Sequence, residues 1–119
     1  MPFDHEKLDA YQLAIGFIGV ANDVAIAFPR GRGYLADQLQ RAALSIALNI
    51  AEGCGKFSPA EKAMFFLRAR GSAMECAATM DAATRLAILD DQSAASHKAI
   101  LERIVQMLTK LARWTINPK

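Results

Sequence analysis

Histidine, cysteine and serine are the residue types in this sequence that could do metal or covalent chemistry, and their spacing gives them little help. A di-metal site inside a helical bundle draws on Glu-x-x-His on two helices plus two further carboxylates. Neither His5 nor His97 has a glutamate three residues before it. Cys54 and Cys76 stand far apart, in no C-x-x-C or other ligand spacing. Ser45 and Ser72 have no histidine near them in sequence to activate a hydroxyl. Two readings fit Cys54, which lies between Gly53 and Gly55: an exposed, modifiable thiol, or a small turn residue. Cys76, amid Ala73, Ala77 and Ala78, reads as a small core residue. No catalytic residue, metal ligand or cofactor is therefore expected.

Charge offers a different chemistry. The formal net charge is only +2, from 14 Lys and Arg against 12 Asp and Glu, so the bulk balance does not call for a polyanionic partner. The charges are nevertheless blocked along the chain, with residues 1–28 and 71–96 each summing to −3 and residues 29–70 and 97–119 each to +4. Phosphate contacts need only Lys or Arg at a surface. The candidates are Arg30 and Arg32 in an Arg-Gly-Arg-Gly stretch, and Lys98, Arg103, Lys110 and Arg113, which share a helix face with a single acid, Glu102. Trp114 is the one stacking candidate nearby. A solvated helix face accounts for the same residues, and both readings stand.

The elements that must position these groups are helices. In 119 residues, 53% are hydrophobic and 23 are alanine, while Gly and Pro fall largely at punctuation points. The stop and start signals predict a single all-α domain spanning residues 1–119, with helices over about residues 6–28, 34–52, 59–89 and 92–114. Pro29 halts the first helix, and Gly53 and Gly55 end the second. Ser58-Pro59-Ala60-Glu61 opens the third with a capping box, and Asp90-Asp91 supplies carboxylates to the start of the fourth. Short connections between long helices favour an antiparallel up-down-up-down four-helix bundle. No apolar run approaches the roughly 20 residues of a bilayer-spanning helix, and no N-terminal basic region precedes an apolar one, so a cytoplasmic location and no membrane partner are expected.

Projected at 100° per residue, the helices differ. The fourth is conventionally amphipathic and belongs on the outside. Apolar residues cover well over half of the first, from Leu8, Tyr11, Ile15 and Ile18 round to Leu13, Phe17, Val20 and Val24, more than a lone bundle can bury, which points to self-association. On the second, Gln38, Arg41, Ser45, Asn49 and Glu52 fall in a strip about 80° wide, and on the third Glu61, Arg68, Ser72, Glu75 and Thr79 fall in one about 60° wide. If the strips face each other, Arg41 lies near Glu75 and Asn49 near Arg68, a seam that fixes helix register. The same strips could instead wall a small-molecule pocket.

The run from Gln38 to Gly53, with its Arg-Ala-x-x-Ser-Ile-x-x-Asn-Ile-Ala-Glu-Gly core, is preceded by Phe28-Pro29 and followed by Phe66-Leu67-Arg68-Ala69 and Gly71-Ser72-Ala73-Met74-Glu75. It resembles the bacterial four helix bundle proteins, also called 23S rRNA intervening-sequence proteins, over essentially the whole chain. That resemblance implies a homopentamer of four-helix subunits with no established enzymatic activity. It also implies that Gln38, Arg41, Ser45, Asn49, Glu52, Ser72 and Glu75 are architectural. The family is similar to the accessory protein of diversity-generating retroelements, a pentamer that binds nucleic acid and its reverse transcriptase. The expected function is thus a non-enzymatic homo-oligomeric scaffold binding RNA, DNA or a nucleoprotein partner of the reverse-transcriptase kind. A small-molecule-binding assembly and a purely protein-binding adaptor are the alternatives.

Overall fold

Helix starts are set by side chains that satisfy otherwise orphaned backbone amides. In the computed structural model, which describes His5 and residues 8–118, the Ser58 hydroxyl accepts from the Glu61 amide at 3.4 Å and Pro59 occupies the first helical position. The Asp90 carboxylate accepts from the amide of Ser93 at 2.8 Å and from its hydroxyl at 2.9 Å. These bonds hold the Asp90 carboxyl below the usual carboxylate range. Four helices result: α1 (Asp9–Ile26), α2 (Gly33–Cys54), α3 (Pro59–Arg85) and α4 (Asp91–Ile116). The expected start of the first helix, Glu6, lies outside the described residues.

The third helix stops four residues before the expected Leu89. Ala87 adopts a left-handed conformation, φ 61°, and the Ile88 amide donates back to the Ala83 carbonyl at 3.0 Å, closing α3 with the wide turn usually made by glycine. An alanine in that role gives no sequence signal. Gly31, φ 91°, takes the corresponding conformation in the loop between α1 and α2, where a side chain would be strained.

Side-chain bonds give the register. Asn22 near the end of α1 accepts from Gln40 in the first half of α2, Gln38 and Ser45 of α2 meet Glu75 and Ser72 of α3 in reverse order, and Lys98 near the start of α4 meets Asp81 near the end of α3. Each consecutive pair is therefore antiparallel. α1 and α4 close the ring, while the diagonal pairs stay apart, giving a four-helix bundle of 46 × 26 × 19 Å.

The core is built from Phe17, Leu39, Ile46, Ile50, Phe66, Met80, Leu101, Ile104 and Leu108, with alanines between them that let the helices close up. Burying each large side chain contributes about 1.5–3 kcal/mol. Gly53 belongs to this fit. A Cβ there would stand 2.8 Å from Cε1 of Phe66 and 3.1 Å from Cβ of Phe65.

The apolar surplus expected on the first and second helices is exposed on the second, as its sequence suggests, but not on most of the first. Much of the wide apolar surface of α1 is used inside the bundle, since Tyr11, Leu13, Ile18, Val20, Val24 and Phe28 pack half-buried against the core and only Ile15 and Ile26 of its large side chains are exposed. Leu44 and Leu48 of α2 and Met64, Leu67 and Met74 of α3 are all exposed instead. No described helix is long and apolar enough to cross a membrane.

Candidate functional site

The two polar strips do meet, along the joint between α2 and α3. The Asn49 amide donates at 2.9 Å to both the carbonyl and the hydroxyl of Ser45, its neighbour one turn earlier. Ser45 and Ser72 share a 2.8 Å hydroxyl bond, and the Ser72 hydroxyl donates to the Arg68 carbonyl at 3.2 Å. Because Ser72 has a single proton and gives it to that carbonyl, Ser45 is the donor to Ser72, and the chain runs one way from Asn49 to Arg68. Further along, Gln38 donates to the Glu75 carboxylate at 3.1 Å.

The expected charge pairing is not what forms. Glu75 takes Gln38 rather than Arg41, and the side chain of Asn49 bonds within its own helix rather than to the Arg68 side chain. The physical reason is exposure: Arg41, Arg68 and Glu75 sit at the outer edge of the seam, where water solvates the guanidiniums and no buried partner is required. Arg68 instead lies over the Phe65 ring at 4.8 Å, with Lys56 on the same ring at 5.1 Å and in a 3.7 Å ion pair with Glu52. The seam is the floor of an open groove of about 820 Å³ lined by Arg41, Leu44, Ser45, Leu48, Asn49 and Phe65 among others. Phe65 was not singled out by the sequence reading. Its neighbour Phe66 is the buried one, and nothing in the Phe-Phe pair says which ring faces the seam.

The basic candidates separate into two groups. Arg30 is exposed and Arg32 half-buried in the loop that ends beside Asp90 and the start of α4. Arg103, Lys110 and Arg113 are exposed on the outer face of α4 and make no ion pair among the described residues. Arg103 lies about 18 Å along α4 from its start at Asp91, so the loop arginines and the α4 cations stand as separate groups. Lys98 is committed elsewhere, through a 2.6 Å ion pair to Asp81 of α3. A further cation, Arg70, joins the α4 group by donating to the Thr109 hydroxyl at 2.9 Å. Only the pairing of α3 with α4 reveals it.

The remaining reactive groups are held in quiet settings. Cys76 is fully buried, and burial, with a smaller contribution from the neighbouring Glu75 charge, pushes its thiol up to about 12, so it stays protonated. Cys54 is half-buried in the last turn of α2 and takes part in no disulfide. Among the described residues, no group of three His, Cys, Asp or Glu side chains converges in a way that would hold a metal ion.

Residues 6–110 match the protein-family model described as 23S rRNA-intervening sequence protein. No curated protein matches the chain significantly.

Proposed function

The chain belongs to the 23S rRNA-intervening sequence protein family, and on that premise we propose that it is a non-enzymatic, self-associating scaffold of the cytoplasm, a homopentamer, that holds RNA or DNA by sequence-independent contacts to phosphates. The observation that carries the nucleic-acid half is the outer face of α4, where Arg103, Lys110 and Arg113 are exposed and unpaired over two to three turns, with Arg70 close by on α3. A cation held in a surface ion pair has already spent part of its field locally. One left free attracts a polyanion from a distance, and repetition around an oligomer adds the fields of its copies. The self-association half is supported by the exposed leucines and methionines of α2 and α3, which exceed what isolated surface residues require.

Titrating the protein with a fluorescent single-stranded RNA and its DNA counterpart at several salt concentrations tests this reading. The log of the affinity should fall with log salt at a slope of about −2 or steeper if the three α4 cations each meet a phosphate. The triple variant Arg103→Glu, Lys110→Glu, Arg113→Glu should abolish binding while leaving helicity intact. Unchanged binding by that variant removes the site.

A further inference from the structure

We infer that the exposed face of α1 in one copy of this chain docks into the α2/α3 groove of the next copy. This deepens the self-association reading above and rests on it.

Two surfaces of the molecule complement each other: a helix face without charge over most of its length, and a groove whose apolar and polar floor carries its charges at the edge. Between Asp9 and Asp23 helix α1 carries no charged residue at all, although one side of it faces solvent. That side presents Ile15 and Ile26 around Gly16 and Gly19, and a Cβ added at either glycine would meet nothing within 4 Å. The backbone is bare there, so another helix surface can approach closely. The groove offers the matching relief, with Leu44 and Leu48 exposed at 47% and 56% and Phe65 half-buried beside them.

Charge selects the orientation. The charged residues of α1 are both acidic, Asp9 and Asp23, both exposed and neither in an ion pair among the described residues. In the groove Glu52 is paired with Lys56, while Arg41, Arg68 and Glu75, the last hydrogen-bonded to the neutral amide of Gln38, have no ionic partner among the described residues, which leaves the groove with a net positive charge. An acidic ridge thus meets a basic groove. Lengths agree as well: the 18 residues of α1 span about 27 Å, and the seam from Gln38 to Glu52 about 21 Å. Since the two surfaces are different parts of the same chain, the contact is heterologous, and repeated copies join head to tail into a ring or an open chain.

Two full-length variants at exposed positions separate this from other modes of association. Gly19→Arg places a cation on the α1 face, and Leu48→Glu places an acid in the groove. With circular dichroism confirming helicity, size exclusion with light scattering should give an oligomer for the unaltered chain and the 12.9 kDa single-chain mass for each variant alone. An equimolar mixture should give a complex of at least twice that mass, because each variant keeps the face the other has lost and the two altered faces carry opposite charges. If the unaltered chain associates and either variant keeps its oligomeric mass, or the mixture stays monomeric, the proposed pairing is wrong. If the unaltered chain is itself a monomer at micromolar concentration, the self-association reading falls and takes this pairing with it.

Discussion

The α2/α3 side of the bundle and the outer face of α4 are both solvent-facing, yet they are built on opposite plans. On α4 the long cations Arg103, Lys110 and Arg113 are exposed and in no ion pair among the described residues. On the α2/α3 side the floor is a directed chain of short polar groups from Asn49 through Ser45 and Ser72 to the Arg68 carbonyl, with leucines beside it and the charges of Arg41, Arg68 and Glu75 confined to the solvated edge. The floor, whose polar groups satisfy one another, needs little from water and costs little desolvation to cover, while the charges at its edge call for a partner of opposite sign. A surface of unpaired cations is costly to cover with protein but well suited to a polyanion. The difference is what supports the proposal of self-contact on one side and nucleic acid on the other.

The tightness of the α2/α3 joint is the part of this comparison most open to attack. Gly53→Ala should destabilise the fold by about 2 kcal/mol, since the added methyl forces the buried Phe66 ring to move. Gly71→Ala, on the outside of the same joint with open space around it, should stabilise by up to about 1 kcal/mol through helix propensity. Chemical denaturation of the two variants checks this. Equal effects at the two glycines would mean that α2 and α3 are not in close register.

Beneath the seam, Cys76 turns burial into a pH dependence. Its folded-state value, near 12, lies above the unfolded value near 9, so the native state holds its proton longer. Stability is therefore unaffected by this group below about pH 9 and falls as pH rises toward 12, by up to about 1.4 kcal/mol per pH unit. Denaturation midpoints measured from pH 8 to 11 should fall for the native chain more steeply than for Cys76→Ala. Parallel slopes would place Cys76 in a wetter site.

Where the chain turns and which residues share a face were legible in the residues themselves. Pro29, Ser58-Pro59 and Asp90 mark helix ends by local chemistry, and a 3.6-residue period sorts Gln38, Ser45, Asn49, Ser72 and Glu75 into strips without knowledge of neighbours. What failed to show was whatever depends on a second element. The early end of α3 rests on an alanine in a glycine's conformation. Glu75 choosing Gln38 over Arg41 depends on where the groove edge meets water. The engagement of Lys98 by Asp81, and the arrival of Arg70 beside Thr109, depend on the α3/α4 register. The surplus of apolar surface could be counted from sequence, but only packing decides that α1 spends most of it inside while α2 and α3 leave theirs exposed.

The smallest expected effects test the comparison most directly, because they ask whether neighbours know about each other. Ser72→Ala removes the acceptor of Ser45 and should cost about 1 kcal/mol. Ser45→Ala should cost a similar amount, and the double variant less than the sum, leaving a coupling of at least about 0.5 kcal/mol. Arg103→Ala and Lys110→Ala on α4 share no partner among the described residues, so each should change stability by less than about 0.5 kcal/mol and the pair should add. Two double-mutant cycles by urea denaturation, run at a protein concentration held constant, decide it. Additivity at the serines would reduce the seam to isolated surface hydroxyls, and coupling at the α4 cations would mean that they are held in a network and are not free to meet phosphates.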